Sequence, residues 1–311
     1  MPGNTQQLLD LIACLYPPDD ASDSEYAELE KHALDLIKAH PDLLAKHSVV
    51  DLNATPLIAA VWSPTRTCSL NTFKHLLQAP TDVNAQTHEK VRMIHYLAQY
   101  NRHEQLQYLF STNQLVDVNA VTSEGDTALH LAARKGAEKA IALLTITAKA
   151  NPNIANIDGL TPLHIACFFG QLQGGKRDKP LTVAMAQPFL DCIEFLLMSG
   201  AAVNARDQFG STPAHILASV DIPDDIKFMA LKDLLDSGAD LTLKSGDNHS
   251  CLALAQSYQF KAFCESLKKQ MVPSLKMLAA RQVLKSNLST EDVAEDLVQY
   301  LHKLRLGKGP T

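Results

Sequence analysis

The chain has 311 residues, of which 46% are hydrophobic and 20% are charged, and its formal net charge is −6. This composition is typical of a folded protein, and the excess of acidic residues disfavours nucleic acid or an anionic membrane as the main partner. No apolar run approaches the roughly 18 residues of a membrane span, and the N-terminus shows no secretory signal, so no membrane insertion is expected. The six cysteines form no C-x-x-C pattern, which predicts buried thiols in a reducing compartment.

The first 50 residues are predicted to form a helical cap. Apolar positions predict one amphipathic helix from Thr5 to Tyr16 and a second from Glu25 to His40, each followed by proline. The terminal units of a stacked array are usually atypical because one of their faces meets water. We therefore assign residues 1–50 to an N-terminal cap.

Residues 51–270 repeat one short phrase. Two clear tandem copies read Glu124-Gly125-Asp126-Thr127-Ala128-Leu129-His130 and Asp158-Gly159-Leu160-Thr161-Pro162-Leu163-His164. Their threonines are 34 positions apart, and weaker copies start at Thr55, Arg92, Thr212 and Ser250. The glycines suit a tight turn that needs positive φ, and each threonine hydroxyl can cap the helix that follows.

A period near 33 residues that carries T-P-L-H-x-A resembles the ankyrin repeat. The resemblance implies an all-α solenoid of about six ankyrin repeats, some degenerate, with helical flanks at both ends. It further implies that the chain binds a protein target through its turn loops and first helices. No enzymatic activity and no cofactor are expected, because the G-x-x-x-x-G-K match at residues 170–176 lacks the strand and the hydroxyl residue of a phosphate loop.

Two residue types recur once per repeat. The histidines are His95, His130, His164 and His215, and the asparagines are Asn84, Asn119, Asn153 and Asn204. The histidines are spread along the array, so no shared metal site is expected, and in ankyrin proteins this imidazole bonds the backbone of the neighbouring turn. The asparagines are interpreted as local turn residues, although asparagines at this place in ankyrin proteins can also be hydroxylated.

The best candidates for target contacts lie on exposed turns and in one insertion. The fourth and fifth copies are 51 residues apart, which places an insertion of about 18 residues near positions 171–189. Insertions in solenoids often lie on the binding face, although a tolerated loop without a role is the alternative. The candidate contacts are Lys176 and Arg177 in the insertion and Glu124, Asp126, Asp158, Leu160, Gln208 and Phe209 at the turn tips. Phe209 is the most suggestive, because an exposed aromatic side chain suits a hot spot.

The tail, residues 271–311, is predicted to contain two amphipathic helices. Ser274, Leu275, Ala279 and Val283, followed by Val293, Leu297, Tyr300 and Leu301, resemble the SOCS/VHL-type box of ankyrin-repeat substrate receptors of cullin–RING ubiquitin ligases. The resemblance implies helix-in-groove binding to elongin C. The predicted partner-binding residues are Leu275, Leu278, Ala279, Val283, Leu297 and Tyr300. Alanine stands where the box has cysteine (279) and proline (294), and a helix pair that only caps the array is the alternative.

The sequence therefore favours a protein–protein interaction function, with a ubiquitin-ligase substrate receptor that recruits elongin B/C and a cullin as the sharper hypothesis. The alternative is an ankyrin-repeat binding module or a secreted bacterial effector that acts on host proteins without ligase coupling. The acidic cluster at positions 291–296 resembles acidic secretion signals, but a solvated helix face explains it equally well. The expected location is cytoplasmic, in the host cytoplasm for an effector, with the nucleus as a further possibility.

Overall fold

The computed structural model describes residues 2–15, 22–45, 55–63, 68–78, 81–112, 114–168, 182–255, 257 and 259–262. The secondary structure of these ranges is almost entirely helical, and their extended pairing is limited to the isolated bridges Gln86–Arg92 and Lys244–Ser250. The predicted all-α repeat fold is confirmed. The chain divides into two compact units, residues 1–128 and 129–311.

The first unit begins with a helical pair and continues with two repeats. Its elements are α1 (Pro2–Leu15), α2 (Asp23–Ala39), a 3₁₀ helix (Pro41–Ala45), α3 (Pro56–Ala59), α4 (Leu70–Gln78), α5 (Met93–Gln99) and α6 (His103–Ser111). Helix α3 contacts α5 and α4 contacts α6, so the first helices of the two repeats stack together, as do the second helices. Helix α1 contacts α3 and α2 contacts α4, so the N-terminal pair covers the first repeat.

Helix α2 starts two residues before the predicted position because Ser22 caps it. The Ser22 hydroxyl accepts the Glu25 backbone N–H at 3.3 Å, and the Ser22 backbone N–H donates to Glu25 Oε2 at 2.7 Å. The Ser22 hydroxyl also donates to Glu25 Oε2 at 2.7 Å, and the hydrogen bonds that this carboxylate accepts from the side chain and the backbone of Ser22 lower the pKa of Glu25. Reciprocal capping of this kind satisfies two of the backbone donors that a helix start leaves open.

The second unit stacks helices in the same way. Its elements are α7 (Ala128–Lys135), which starts at the last residue of the first unit, α8 (Glu138–Ala142), which continues as a π-helix (Leu143–Thr147), α9 (Pro162–Phe168), α10 (Val183–Met198), α11 (Pro213–Ser219), α12 (Asp224–Asp236) and α13 (Cys251–Leu254). The first helices α9, α11 and α13 contact in sequence, and so do the second helices α8, α10 and α12.

Small residues of the first helices α7 and α9 are buried. Ala132 and Ala133 of α7 and Ala166 and Cys167 of α9 are fully buried, as the sequence predicted. Small side chains let neighbouring helices approach closely, so each repeat buries its apolar face against the next one. Five cysteines lie in the described residues, and all five are buried, as the sequence predicted; Cys264 lies outside the described residues. Burial raises the pKa of the Cys167 and Cys192 thiols.

The predicted insertion includes residues that the structure places in a helix. Residues 183–189 belong to α10, which starts after Thr182 and contacts α8, α9 and α12. The Thr182 hydroxyl caps this helix by accepting the Met185 backbone N–H at 3.4 Å. Residues 169–181, which include Lys176 and Arg177, lie outside the described residues.

Candidate protein-binding surface

Each repeat begins with a tight turn whose tip projects before the first helix. In the fourth repeat the Asn156 N–H donates to the Leu160 carbonyl oxygen at 2.9 Å, and the Gly159 N–H donates to the Asn156 carbonyl oxygen at 2.9 Å. Gly159 has a φ of +74°, which a side chain disfavours. Asp207, Gly210 and Ser211 form the same hydrogen bonds one repeat later.

Two degenerate repeats keep this turn without glycine. Lys90 and Asn248 occupy the glycine position with φ values of +58° and +62°. Their backbone N–H groups donate to Thr87 and Ser245 at 3.0 and 2.9 Å, the same bond that glycine makes elsewhere. The turn geometry is therefore imposed by the surrounding repeat, and the backbone strain at these two positions is tolerated.

Backbone hydrogen bonds join the tips within each unit. In the first unit the Ser123 N–H donates to the Glu89 carbonyl oxygen at 2.9 Å. In the second unit the Gln208 N–H donates to Asp158 at 3.0 Å, and the Gly246 N–H donates to Phe209 at 2.7 Å. These backbone hydrogen bonds fix the positions of neighbouring tips within a unit relative to one another.

The structure places four of the six predicted tip residues at the surface. Glu124, Asp158, Gln208 and Phe209 are exposed, and 67% of Phe209 is accessible to solvent. The Gln208 side-chain amide donates to Asp158 Oδ1 at 3.3 Å, so these two side chains belong to one patch. The expected exposure of Phe209 is confirmed.

Two predicted tip residues are less accessible than the sequence indicated. Asp126 is only 4% exposed, so the prediction that it is exposed is wrong. It follows the turn glycine, where the chain returns to the repeat, and its backbone exchanges hydrogen bonds with Thr122 at 3.0 and 3.2 Å. Leu160 is half-buried at the same turn position, and its carbonyl oxygen accepts the Nε2–H of His130 at 2.9 Å.

Two exposed apolar residues were missed by the sequence reasoning. Ile157, of which 63% is accessible, occupies the turn position that Gln208 holds in the next repeat, and Phe168 is exposed at the end of α9. Superposing the turns on one another would have identified Ile157. Together with Phe209, these residues give the second unit exposed apolar side chains on or next to its first-helix and tip surface. We call Ile157, Asp158, Gln208 and Phe209 the tip patch.

The basic side chains beside the tip patch are engaged with this chain. Arg206 Nη1 donates to the carbonyl oxygens of Gly210 at 3.2 Å and Lys244 at 2.9 Å, and Lys244 Nζ donates to Asn248 Oδ1 at 2.9 Å. Asp158 and Asp247 meanwhile remain exposed. The tips of the second unit therefore present apolar side chains and carboxylates to a partner.

The repeat histidines are structural, as predicted. The Nε2 atoms of His95, His130, His164 and His215 lie 2.9–3.2 Å from carbonyl oxygens of the next turn, which belong to Ala120, Leu160, Ser211 and His249. In three of them Nδ1 accepts the backbone N–H at the start of the same helix, from Arg92, Thr161 and Thr212 at 3.0–3.2 Å. A ring that accepts at Nδ1 and donates at Nε2 is neutral.

These histidines also change the interpretation of the helix caps. The hydroxyls of Thr161 and Thr212 lie 2.9 and 2.8 Å from the Nδ1 atoms of His164 and His215. At α11 the threonine hydroxyl and the imidazole therefore cap the helix start together, as the two members of a capping box. Burial lowers the pKa of both rings, and it lowers the pKa of His95 to about 4.

The repeat asparagines link neighbouring repeats. Asn153 donates to the Gly200 carbonyl oxygen at 3.2 Å and accepts the Ala202 N–H at 2.7 Å. Asn204 makes the equivalent bonds to Gly238 and Asp240, and Asn84 makes them to Leu115 and Asp117. For these three side chains the interpretation as local turn residues is wrong, because each amide bonds to a turn 31–49 residues further along.

Within the described ranges, none of the helices has the length and apolar character required to cross a membrane. The predicted tail contacts Leu275, Leu278, Ala279, Val283, Leu297 and Tyr300 lie outside the described residues, as do Lys176 and Arg177.

Comparisons with known proteins agree with the repeat geometry. A family profile described as ankyrin repeats (3 copies) matches residues 57–156 and 94–177, and a profile described as ankyrin repeat matches residues 158–208. The chain is 26% identical over 206 residues to ZDHHC13 of Danio rerio, which covers 60% of this chain and 31% of that protein. It is 27% identical over 176 residues to an ankyrin repeat protein of Fowlpox virus (strain NVSL), covering 55% of this chain and 45% of the viral one.

A third relative is the E3 ubiquitin-protein ligase KEG of Arabidopsis thaliana, 28% identical over 145 residues, which is 45% of this chain and 8% of that protein. The chain thus spans less than half the length of each of these relatives. The similarity to the family profiles lies in the stacked helical region. Residues 57–208 of this chain are therefore ankyrin repeats.

Proposed function

We propose that this chain binds a protein target through the tip patch and the adjoining first helices, and that its tail couples the bound target to a ubiquitin ligase. Ankyrin repeats are generally non-enzymatic modules for protein–protein interaction, which supports the binding of a protein target, and the tip patch is our proposal for its site. The observation that carries it is the exposed Phe209 on a hydrogen-bonded turn.

Phe209 is held by its turn before any partner arrives. Its backbone N–H donates to Asp207 Oδ1 at 2.9 Å, and its carbonyl oxygen accepts the Gly246 N–H. Asp207 Oδ1 also accepts the Ser211 N–H at 2.8 Å, which closes the turn. An aromatic side chain on a fixed backbone loses little conformational entropy on binding, and such residues supply much of the binding energy of an interface.

Replacing Phe209 with alanine should weaken capture of the target at least about tenfold, because hot-spot truncations cost roughly 2 kcal/mol or more. Leu115→Ala is the matched control, since Leu115 is 90% exposed and follows helix α6 rather than belonging to a turn tip. The target would be identified by affinity capture and mass spectrometry. Its dissociation constant would then be measured for the wild type, Phe209→Ala and Leu115→Ala. If Phe209→Ala bound the target with the affinity of the wild type, the tip patch would not be part of the binding surface.

The proposed ligase coupling is supported by the tail pattern described above, with Leu275, Leu278 and Val283 as the residues that enter elongin C. The full-length chain should bind the elongin B–elongin C pair directly, and a Leu275→Ser/Leu278→Ser variant should lose that binding. Phe209→Ala serves as the control, because it should retain elongin while losing the target. Failure of the intact chain to bind the purified pair would exclude ligase coupling.

The two parts of the proposal are separable. Capture of a target by a chain that ignores elongin B–elongin C would identify a binding module without ligase coupling, including an effector acting on host proteins. The similarity to the plant E3 ubiquitin-protein ligase lends no support to coupling, because it covers 8% of that protein.

A further inference from the structure

Three aromatic rings form a row on the first-helix side of the first unit. Tyr96 and Tyr100 lie one helical turn apart on α5 and at its end, with ring centroids 6.5 Å apart and planes 18° apart. Trp62, which follows α3, lies 6.0 Å from Tyr96 with an angle of 30° between the ring planes. All three side chains are partly exposed, so the row contributes to the surface.

A carboxylate accompanies the row. Glu89 is exposed at the turn tip that precedes α5, and its negative charge acts on Tyr96. The pKa of Tyr96 is raised to about 12, mainly by burial and to a smaller extent by the charges of Tyr100 and Glu89. The phenol therefore stays neutral over the physiological range. The faces of aromatic rings carry partial negative charge, and a nearby carboxylate adds to that field.

The electrostatics favour one end of the row. Arg102 lies near Tyr100, and its Nη2 donates to the Ser63 carbonyl oxygen at 3.5 Å. A further cation is therefore disfavoured at the Tyr100 end, whereas at Tyr96 the charge of Glu89 favours it and the neighbouring Arg92 is paired with Asp117 at 2.9 Å. The same unit already contains such a pairing on its second helices, where Lys74 Nζ lies 5.1 Å from the centre of the Tyr108 ring.

We propose that Trp62, Tyr96 and Glu89 form a subsite for a cationic side chain, and that the partner of this unit therefore presents a basic segment there. This inference rests on the proposed function, because it assigns the chemistry of the partner. A lysine or arginine side chain bound there would meet two partly exposed aromatic rings and the negative charge of Glu89, both of which stabilise a cation. A single-stranded nucleic acid would also stack on aromatic rings, but its phosphates would meet Glu89 unfavourably.

The row contains its own probe, since Trp62 is the single tryptophan of the sequence. Titrating the full chain with a short capped peptide of alternating lysine and glycine should change the Trp62 fluorescence saturably. A glutamate–glycine peptide of equal length should leave it unchanged. Tyr96→Leu should weaken the lysine peptide about fivefold, whereas Tyr96→Phe, which keeps the ring, should bind it like the wild type.

Glu89→Gln should also weaken the peptide several-fold, because it removes the carboxylate while the rings stay in place. Glu28→Gln is its control, since it removes one exposed negative charge elsewhere in the same unit and should leave the affinity unchanged. Circular dichroism melts would establish that all variants are folded. Equal binding by Tyr96→Leu and Tyr96→Phe, equal losses in the two glutamate variants, or no saturable response to the lysine peptide would each overturn the subsite.

Capture of the natural target separates this inference from the function on which it rests. If the target is captured through Phe209 while the lysine peptide fails, the cationic subsite is wrong and the binding function stands. If the peptide behaves as expected and Phe209→Ala captures the target as the wild type does, the subsite stands and the tip patch is wrong.

Discussion

The free energy of unfolding should fall steeply as the pH is lowered from about 6.5 towards 4, because the protein buries neutral histidines. His95 is fully buried, and burial lowers its pKa from 6.5 to about 4. Between these values the unfolded chain binds a proton that the folded chain excludes, so acid favours unfolding. For His95 alone the loss is about 3 kcal/mol once the pH is below its folded pKa, at roughly 1.4 kcal/mol per unit of pKa shift.

His164 and His215 act in the same direction, since burial lowers the pKa of each. Protonation would place a donor at Nδ1, where His164 and His215 accept the N–H groups of Thr161 and Thr212. The charged ring would therefore oppose the start of its own helix. The folded pKa values of these rings lie below the ordinary value for histidine. The stability associated with their neutral forms is therefore fully present above about pH 6.5 and is lost as the pH falls.

Urea titrations across this pH range would measure the effect, with His95→Gln as the test variant. Glutamine can still donate and accept but does not titrate, so the unfolding free energy should depend less steeply on pH. His88→Gln, at an exposed histidine, is the control for the loss of one imidazole. Independently, the NMR titration of the His95 ring in the wild type should give a pKa far below 6.5. A His95 pKa near 6.5 would contradict the expected result.

The repeat framework could be predicted from the sequence because its signals are local. Gly125, Gly159 and Gly210 mark turns that need positive φ, and all three have it. The histidines recur at one structural position, and their bonds to the next turn follow from that position. The turn glycines and the histidines recur because every repeat makes the same contacts at these positions. One copy therefore predicts the others.

The errors concern features that depend on neighbouring repeats. Asp126 is polar and follows a turn glycine, yet the chain path buries it. The asparagine amides bond across repeats, which no single copy can indicate. The predicted insertion included residues 183–189 because the 51-residue spacing of two copies gives the length of an insertion but not its bounds, and these residues belong to α10.

Replacing Gly159 with alanine should cost about 2–4 kcal/mol of stability, for two reasons. A φ of +74° strains any residue with a Cβ, at roughly 1–2 kcal/mol. The added Cβ would also lie 2.7 Å from the Gln208 backbone nitrogen, closer than van der Waals contact allows. Backbone cannot move aside as a flexible side chain can, so the hydrogen bond from Gln208 to Asp158 should weaken and the two tips should separate.

Gly200→Ala measures the cost of the positive φ without the close contact. Gly200 has a φ of +89°, at least as unfavourable to alanine, but a Cβ added there would meet no atom within 4 Å. The difference between the two variants in urea unfolding therefore measures the contact between neighbouring tips. If hydrogen exchange of the Gln208 amide becomes faster in Gly159→Ala but not in Gly200→Ala, the lost contact lies between these two tips. If both substitutions cost the same, the turn strain accounts for the whole effect, and the tips are not held together as tightly as their backbone bonds indicate.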